Sequence, residues 1–233
     1  MIDLRRREGR PLRVGHRGAA ALAPENTIAS LALALELGCD LVEVDVLDLD
    51  GSLVLAHSPD EVPSDPATLD ETLAFLAGTP ASVQLDLKTP GAEARLVEAL
   101  RRHGLLERAV VSTFRPESLR ALEALEPDLC RGLTYPEDRL GLSRRRLLSP
   151  LVGSGLAAMR AVLARRIGRM LAAASANAAM LHWQVVTRAV VERCQAYGAP
   201  VFAWTVQSAD ELRMLTDLGV DGLIVDDPRI FEG

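Results

Sequence analysis

The 233-residue chain is predicted to fold as an α/β protein of the closed (β/α)8 barrel type, and three observations predict it. Eight short β-branched or leucine-rich runs alternate with longer amphipathic stretches along the whole length. That alternation implies a parallel sheet, and eight strands favour closure over an open, doubly wound sheet. The length falls within the ~200–250 residues typical of one such barrel, so residues 1–233 are read as a single domain.

The strands are expected at 12–15, 41–46, 82–87, 109–112, 130–133, 178–182, 200–204 and 221–225. The helices between them are expected at 27–37, 68–76, 91–103, 116–126, 155–174, 187–197 and 208–217. Turn chemistry supports these bounds. Pro24-Glu25-Asn26-Thr27 reads as a strand-to-helix turn with Asn26 or Thr27 as the N-cap. Gly38 and Gly104 fall where helices should end, and Gly219-Val220-Asp221-Gly222 turns into the last strand. Asp50-Gly51 fits a tight hairpin with arms over 44–49 and 53–56, a small insertion after the second strand. Only eight residues follow Val225, so the last helix is short or absent. The basic stretch 139–175 is longer than one connection needs, and no repeat or interdomain linker is evident.

Composition narrows the function. Hydrophobic residues make up 48% and charged residues 25%, enough apolar material for a large core without staples. Residues 139–191 hold nine arginines and no Asp or Glu, so the net charge of −6 conceals −15 on the rest of the chain. An acidic body excludes a general nucleic-acid role, which requires a broad positive surface. The cysteines, Cys39, Cys130 and Cys194, lack metal-type spacing and sit in apolar runs, as buried free thiols of a reducing compartment would. The first residues, MIDLRRREGRPLRV, carry no signal-type apolar core, and no window approaches ~18 uninterrupted apolar residues. A cytoplasmic location is expected. Of 26 basic residues, 25 are arginine and the remaining one is Lys88.

Active sites of parallel barrels lie at the carboxyl ends of the strands, so polar residues that finish apolar runs are the candidates. The first run ends in Gly15-His16-Arg17-Gly18, where the glycines would let a phosphate approach the backbone and Arg17 offers a bidentate donor. A period of two places Glu43 and Asp45 on one face of the second strand. Two readings of that strand stand. Either the acids line the barrel and require a cation, or they face water while Val42, Val44 and Val46 are buried. His57 ends the hairpin arm Leu53-Val54-Leu55-Ala56, as a site residue or as a surface histidine in a turn begun by Ser58-Pro59. Asp86 and Lys88 end the third parallel run on a common face, as an ion pair or as part of a site that a guanidinium cannot replace.

Taken together, Glu43, Asp45 and Asp86 offer only oxygen ligands, which suits one divalent cation, Mg²⁺ or Ca²⁺, rather than zinc. Arg17 and Lys88 would neutralise phosphate oxygens, and His16 and His57 would act as general acid and base in an in-line displacement at phosphorus. His16-Arg17-Gly18, Pro24-Glu25-Asn26-Thr27, Glu43-x-Asp45, His57, Asp86-x-Lys88, Trp204-Thr205-Val206, Gly219-Val220-Asp221-Gly222 and Asp226-Asp227-Pro228 resemble, in order, the glycerophosphodiester phosphodiesterases. The resemblance covers nearly the whole chain. It implies a TIM barrel that hydrolyses glycerophosphodiesters to glycerol 3-phosphate and an alcohol. It also implies His16 and His57 as the catalytic pair, Glu43, Asp45 and Asp86 as metal ligands, Arg17 and Lys88 on the phosphate, and Trp204 against the glycerol or alcohol part. The chain departs from the family pattern in Ser58-Pro59 between His57 and Asp60, in a shortened segment after His57, and in Asp86, where Glu is common.

Other strand-end residues, His182, Trp183, Phe114 and Tyr135, are rim candidates for substrate contact, with a capping or packed role as the alternative for His182. His103 precedes Gly104 at a helix end, where the dipole favours it. The segment 159–170 reads as an outer helix with a solvated arginine face, or as a transient contact with a membrane surface. The latter would suit a lysophospholipase D, and a non-catalytic barrel that binds phosphorylated ligands is a further alternative. The expected partner is a small-molecule diester, with no obligate protein partner.

Overall fold

A computed structural model describes the backbone of residues 2–136 and 150–232, and side chains throughout these except over 150–157. In chain order the strands are β1 (Leu12–Gly15), β2 (Leu41–Leu49), β3 (Ser52–Leu55), β4 (Ser82–Leu87), β5 (Ala109–Thr113), β6 (Cys130–Tyr135), β7 (Ala178–His182), β8 (Val201–Val206) and β9 (Gly222–Val225). All but β3 pair in parallel in the order β1-β9-β8-β7-β6-β5-β4-β2, and β1 also pairs with β2. That last pairing closes an eight-stranded TIM barrel. β3 lies antiparallel on β2, with Val46 opposite Leu55 and Leu49 opposite Ser52. Asp50 and Gly51 both take positive φ, 50° and 91°, as a tight hairpin of matching twist requires.

Both faces of each barrel strand are buried, which settles the orientation of β2. Leu12, Val14, Leu41, Val110, Cys130, Ala178, Met180, Phe202 and Ile224 fill the interior. Val42, Val44, Val46, Leu85, Val111, Leu181 and Val225 pack outward against the helices. The valines of β2 are therefore buried as one reading required, yet Glu43 and Asp45 are buried too, on the inner face. Glycine at 222 follows from this filling, since a Cβ there would come within 2.2 Å of the Phe202 ring.

The helices are α1 (Ile28–Glu36), α2 (Leu69–Ala77), α3 (Glu93–Arg102), α4 (Pro116–Leu125), α5 (Pro150–Ala174), α6 (Arg188–Ala196) and α7 (Ala209–Leu218). A single 3₁₀ stretch, Pro228–Glu232, stands in place of the eighth. Thr27, not Asn26, caps α1 by accepting a hydrogen bond from the Ser30 amide. Thr68 and Glu71 form a reciprocal capping box on α2. In α5, Leu163, Ile167, Leu171 and Ala174 are buried at helical spacing while Arg165, Arg166 and Arg169 are exposed. This is the geometry of an outer barrel helix with a solvated arginine face. Arg139 and Arg144 to Arg146 of the basic stretch lie outside the described residues. Among the described residues no helix is long and apolar enough to cross a membrane.

Two details close the amino end. Leu4, 2% exposed, packs among the interior residues. Asp40 receives both terminal nitrogens of Arg10, at 2.7 and 3.0 Å, and the Arg13 amide at 2.8 Å. Cys39, Cys130 and Cys194 are free and buried, and burial pushes each thiol up to about 12.

Candidate active site

The carboxyl ends of the parallel strands gather the charged residues. β1 runs directly into His16 and Arg17, and the His16 amide extends the ladder to the Val225 carbonyl at 2.8 Å. His16 Nδ1 lies 2.6 Å from Asp226 Oδ1, and its Nε2 lies 3.9 Å from Glu43 Oε2. Arg17 has a positive φ of 49°, and its amide donates to Glu43 Oε2 at 2.9 Å. Its guanidinium is shared. Nη1 donates to Glu25 at 2.7 Å, and Nη2 meets His57 Nδ1 at 3.0 Å. Nε lies 2.9 Å from Asp45 Oδ2, close enough to pair charges but not aligned as a hydrogen bond.

The glycines around His16 are also required by packing. A Cβ on Gly15 would strike the Gly18 carbonyl at 2.5 Å and Ala34 at 2.8 Å. One on Gly18, whose φ is +85°, would strike Ser30 at 2.4 Å. Both absences of a side chain let the turn pack onto α1.

β2 and β4 place Asp45 directly beside Asp86, with Glu43 beside Gln84. One oxygen from each of Glu43, Asp45 and Asp86 lies within 4.8 Å of the others, and all three residues are buried. Lys88 Nζ stands 2.7 Å from Asp45 Oδ1 and also pairs with Asp86. Burial, and then the neighbouring Asp45 carboxylate, push Glu43 up to about 7. Burial acts upward on Asp45 as well, but Lys88, His57 and Arg17 outweigh it and hold this carboxyl well below the usual range. For Lys88 the attraction of Asp86, Asp45 and Glu43 overcomes burial and raises its value. Lys88 and Arg17 thus leave the cluster short of positive charge, and Glu43 carries the deficit. Three oxygen-only donors with that deficit fit a hard divalent cation.

Two supporting contacts aim the acids. Asp86 Oδ1 accepts from Ser112 Oγ at 2.7 Å and Thr134 Oγ1 at 3.3 Å. Asn26, with φ of 57°, accepts from the Asp45 amide at 3.1 Å and donates to Asp45 Oδ2 at 3.2 Å. Across the mouth stand aromatic rings. Trp204 meets Phe114 edge-on at 6.4 Å and His182 edge-on at 5.1 Å, and its Nε1 donates to the Met180 carbonyl. Lys88 Nζ lies 5.9 Å from the Phe114 ring centre. His182 Nδ1 also accepts from the Gln184 amide, the capping role considered for it. His57 Nδ1 lies 3.3 Å from Asp45 Oδ2, so the hairpin arm brings it into the cluster. His103 lies apart, on Asp70 at 2.9 Å.

Sequence reasoning assigned no role to Asp226, Ser112 or Thr134, and offered Asn26 only as a helix cap. For Asp226 the signal was present, because it finishes the apolar run Gly222–Val225 as His16 finishes β1. Ser112 and Thr134 also lie near strand ends, but a small hydroxyl there carries no charge to single it out.

A TIM barrel with acids, imidazoles and fixed cations converging at its carboxyl end is the framework of a phosphoric diester hydrolase. The sequence profile of the Glycerophosphoryl diester phosphodiesterase family matches residues 16–74 and 83–230. The chain belongs to this family. It is 28% identical over 255 aligned residues to the glycerophosphodiester phosphodiesterase of Caldanaerobacter subterraneus subsp. tengcongensis, covering 93% of this chain and 94% of that one. In fold it is similar to a glycerophosphodiester phosphodiesterase from Agrobacterium tumefaciens, with a TM-score of 0.72, 21% identity and coverage of 95% and 98%. It is likewise similar to an Oleispira antarctica phosphodiesterase solved with its product sn-glycerol-3-phosphate, with a TM-score of 0.73, 22% identity and coverage of 96% and 97%.

Proposed function

We propose that the chain hydrolyses glycerophosphodiesters to glycerol 3-phosphate and an alcohol, as one barrel domain, with His16 and His57 as the acid–base pair. One observation carries this reading: the two imidazoles reach the same buried carboxylate cluster from different elements, His16 against Glu43 at 3.9 Å and His57 against Asp45 at 3.3 Å. Two proton-transfer groups beside one phosphate site suit in-line displacement, in which one side loses a proton as the other gains one.

Glu43, Asp45 and Asp86 would hold a divalent cation, Mg²⁺ or Ca²⁺. When bound, it supplies positive charge for a phosphate oxygen. Arg17 and Lys88 neutralise further phosphate oxygens, and their ties to Glu25, Asp45 and Asp86 keep both side chains extended toward that place. Trp204, Phe114 and His182 form the wall for the glycerol or alcohol part. The buried free thiols agree with a reducing, cytoplasmic setting.

The test is release of glycerol 3-phosphate from glycerophosphocholine with Mg²⁺ or Ca²⁺. His16→Ala and His57→Ala should each lower kcat by ~10²–10⁴-fold. Wild-type rates in both variants would overturn the assignment.

A further inference from the structure

We propose that Asp226 is a positioning residue that fixes the proton of neutral His16 on Nδ1 and so presents the Nε2 lone pair to the acid cluster. The proposal rests on the reading of His16 as a proton-transfer group.

Elementary hydrogen bonding carries the argument. A neutral imidazole has one N–H, and an ionised carboxylate only accepts. At 2.6 Å from Asp226 Oδ1, an unprotonated Nδ1 would set two lone pairs against each other. The proton therefore belongs on Nδ1. Nε2 is left with its lone pair, on the side where Glu43 Oε2 lies 3.9 Å away.

Both partners are held by backbone as well. The His16 amide donates to the Val225 carbonyl at 2.8 Å, and the Ala21 amide donates to the Asp226 carbonyl at 3.0 Å. Burial works against ionisation of Asp226, but His16, with Arg17 and the nearby Gln207 side chain, outweighs it and lowers its value. Asp226 thus pairs with His16 from a strand end outside the Glu43–Asp45–Asp86 group.

His57 is held differently. Its Nδ1 faces both Asp45 Oδ2 and Arg17 Nη2, one an acceptor and the other a donor. Neither contact fixes its tautomer as Asp226 fixes that of His16. The two imidazoles are therefore not equivalent, and the asymmetry comes from Asp226. A carboxylate that orients an imidazole in this way acts through that group rather than on the substrate.

The chain has four histidines, so ¹⁵N-imidazole labelling of the full protein gives a readable spectrum. At alkaline pH, where the ring is neutral, His16 should carry its proton on Nδ1. Asp226→Ala should move that proton to Nε2 and lower kcat ~10²–10³-fold with KM nearly unchanged. Asp226→Asn, whose amide can donate to a bare Nδ1, should likewise release the tautomer. Asp226→Glu keeps an acceptor-only carboxylate, and should keep the tautomer and recover part of the rate. A wild-type His16 protonated on Nε2, or an Asp226→Ala protein with unchanged tautomer and kcat, would overturn the proposal. If His16→Ala keeps full activity, the catalytic reading of His16 fails with it, while the imidazole shifts still decide whether Asp226 sets the tautomer.

Discussion

Asn26 shows how much one residue holds at this site. Its left-handed backbone places the amide group where it both accepts from the Asp45 N–H and donates to the Asp45 carboxylate. Asn adopts that backbone more readily than other residues with a side chain, and its two-ended amide matches the two-ended demand. Asn26→Ala should cost about 2–4 kcal/mol, from a strained φ and an unpaired buried amide. Asn26→Gly relieves the strain only and should cost about 1–2 kcal/mol less. Urea denaturation of both variants measures the difference, and equal losses would show that φ contributes nothing. None of this was legible in the sequence, where Asn26 read equally well as the cap that Thr27 turns out to be.

At the scale of elements, the eight parallel strands and seven helices lie close to their expected places, because apolar runs and turn residues mark them locally. The facing of Glu43 and Asp45 was not legible, since alternation in a strand buried on both sides says which residues share a face but not which face looks inward. The packing use of Gly15 and Gly18 was hidden for a similar reason: it depends on α1 lying against the turn. Asp40 joins the segment before β1 to the start of β2 through Arg10 and the Arg13 amide. Burial works against its ionisation, but these partners prevail and lower its value. A depressed carboxylate stabilises the fold above its unfolded value of ~3.9 and loses that contribution as pH falls through its folded value. Asp40→Asn should therefore unfold at lower urea than wild type at pH 7. The gap should narrow below about pH 4, and a constant gap down to strongly acid conditions would exclude the ionic contribution.

For the molecule as a whole, the proposed cation site would tie stability to ligand. Glu43, Asp45 and Asp86 come from β2 and β4, neighbouring staves of the ring. A cation that binds the folded barrel better than the open chain stabilises it by mass action. At a hundredfold excess over Kd, Tm should rise by about 5–10 °C. Glu43→Gln and Asp86→Asn together should abolish the rise, and an equal rise in that variant would place the ion elsewhere. The closing of the ring has a consequence of another kind. His16 and Asp226 stand 210 residues apart and meet only where the first strand joins the last. A chain still emerging from the ribosome can hold every carboxylate of the cluster and still lack Asp226. The His16–Asp226 pair therefore forms only after the C-terminal strand has been made and has joined the ring.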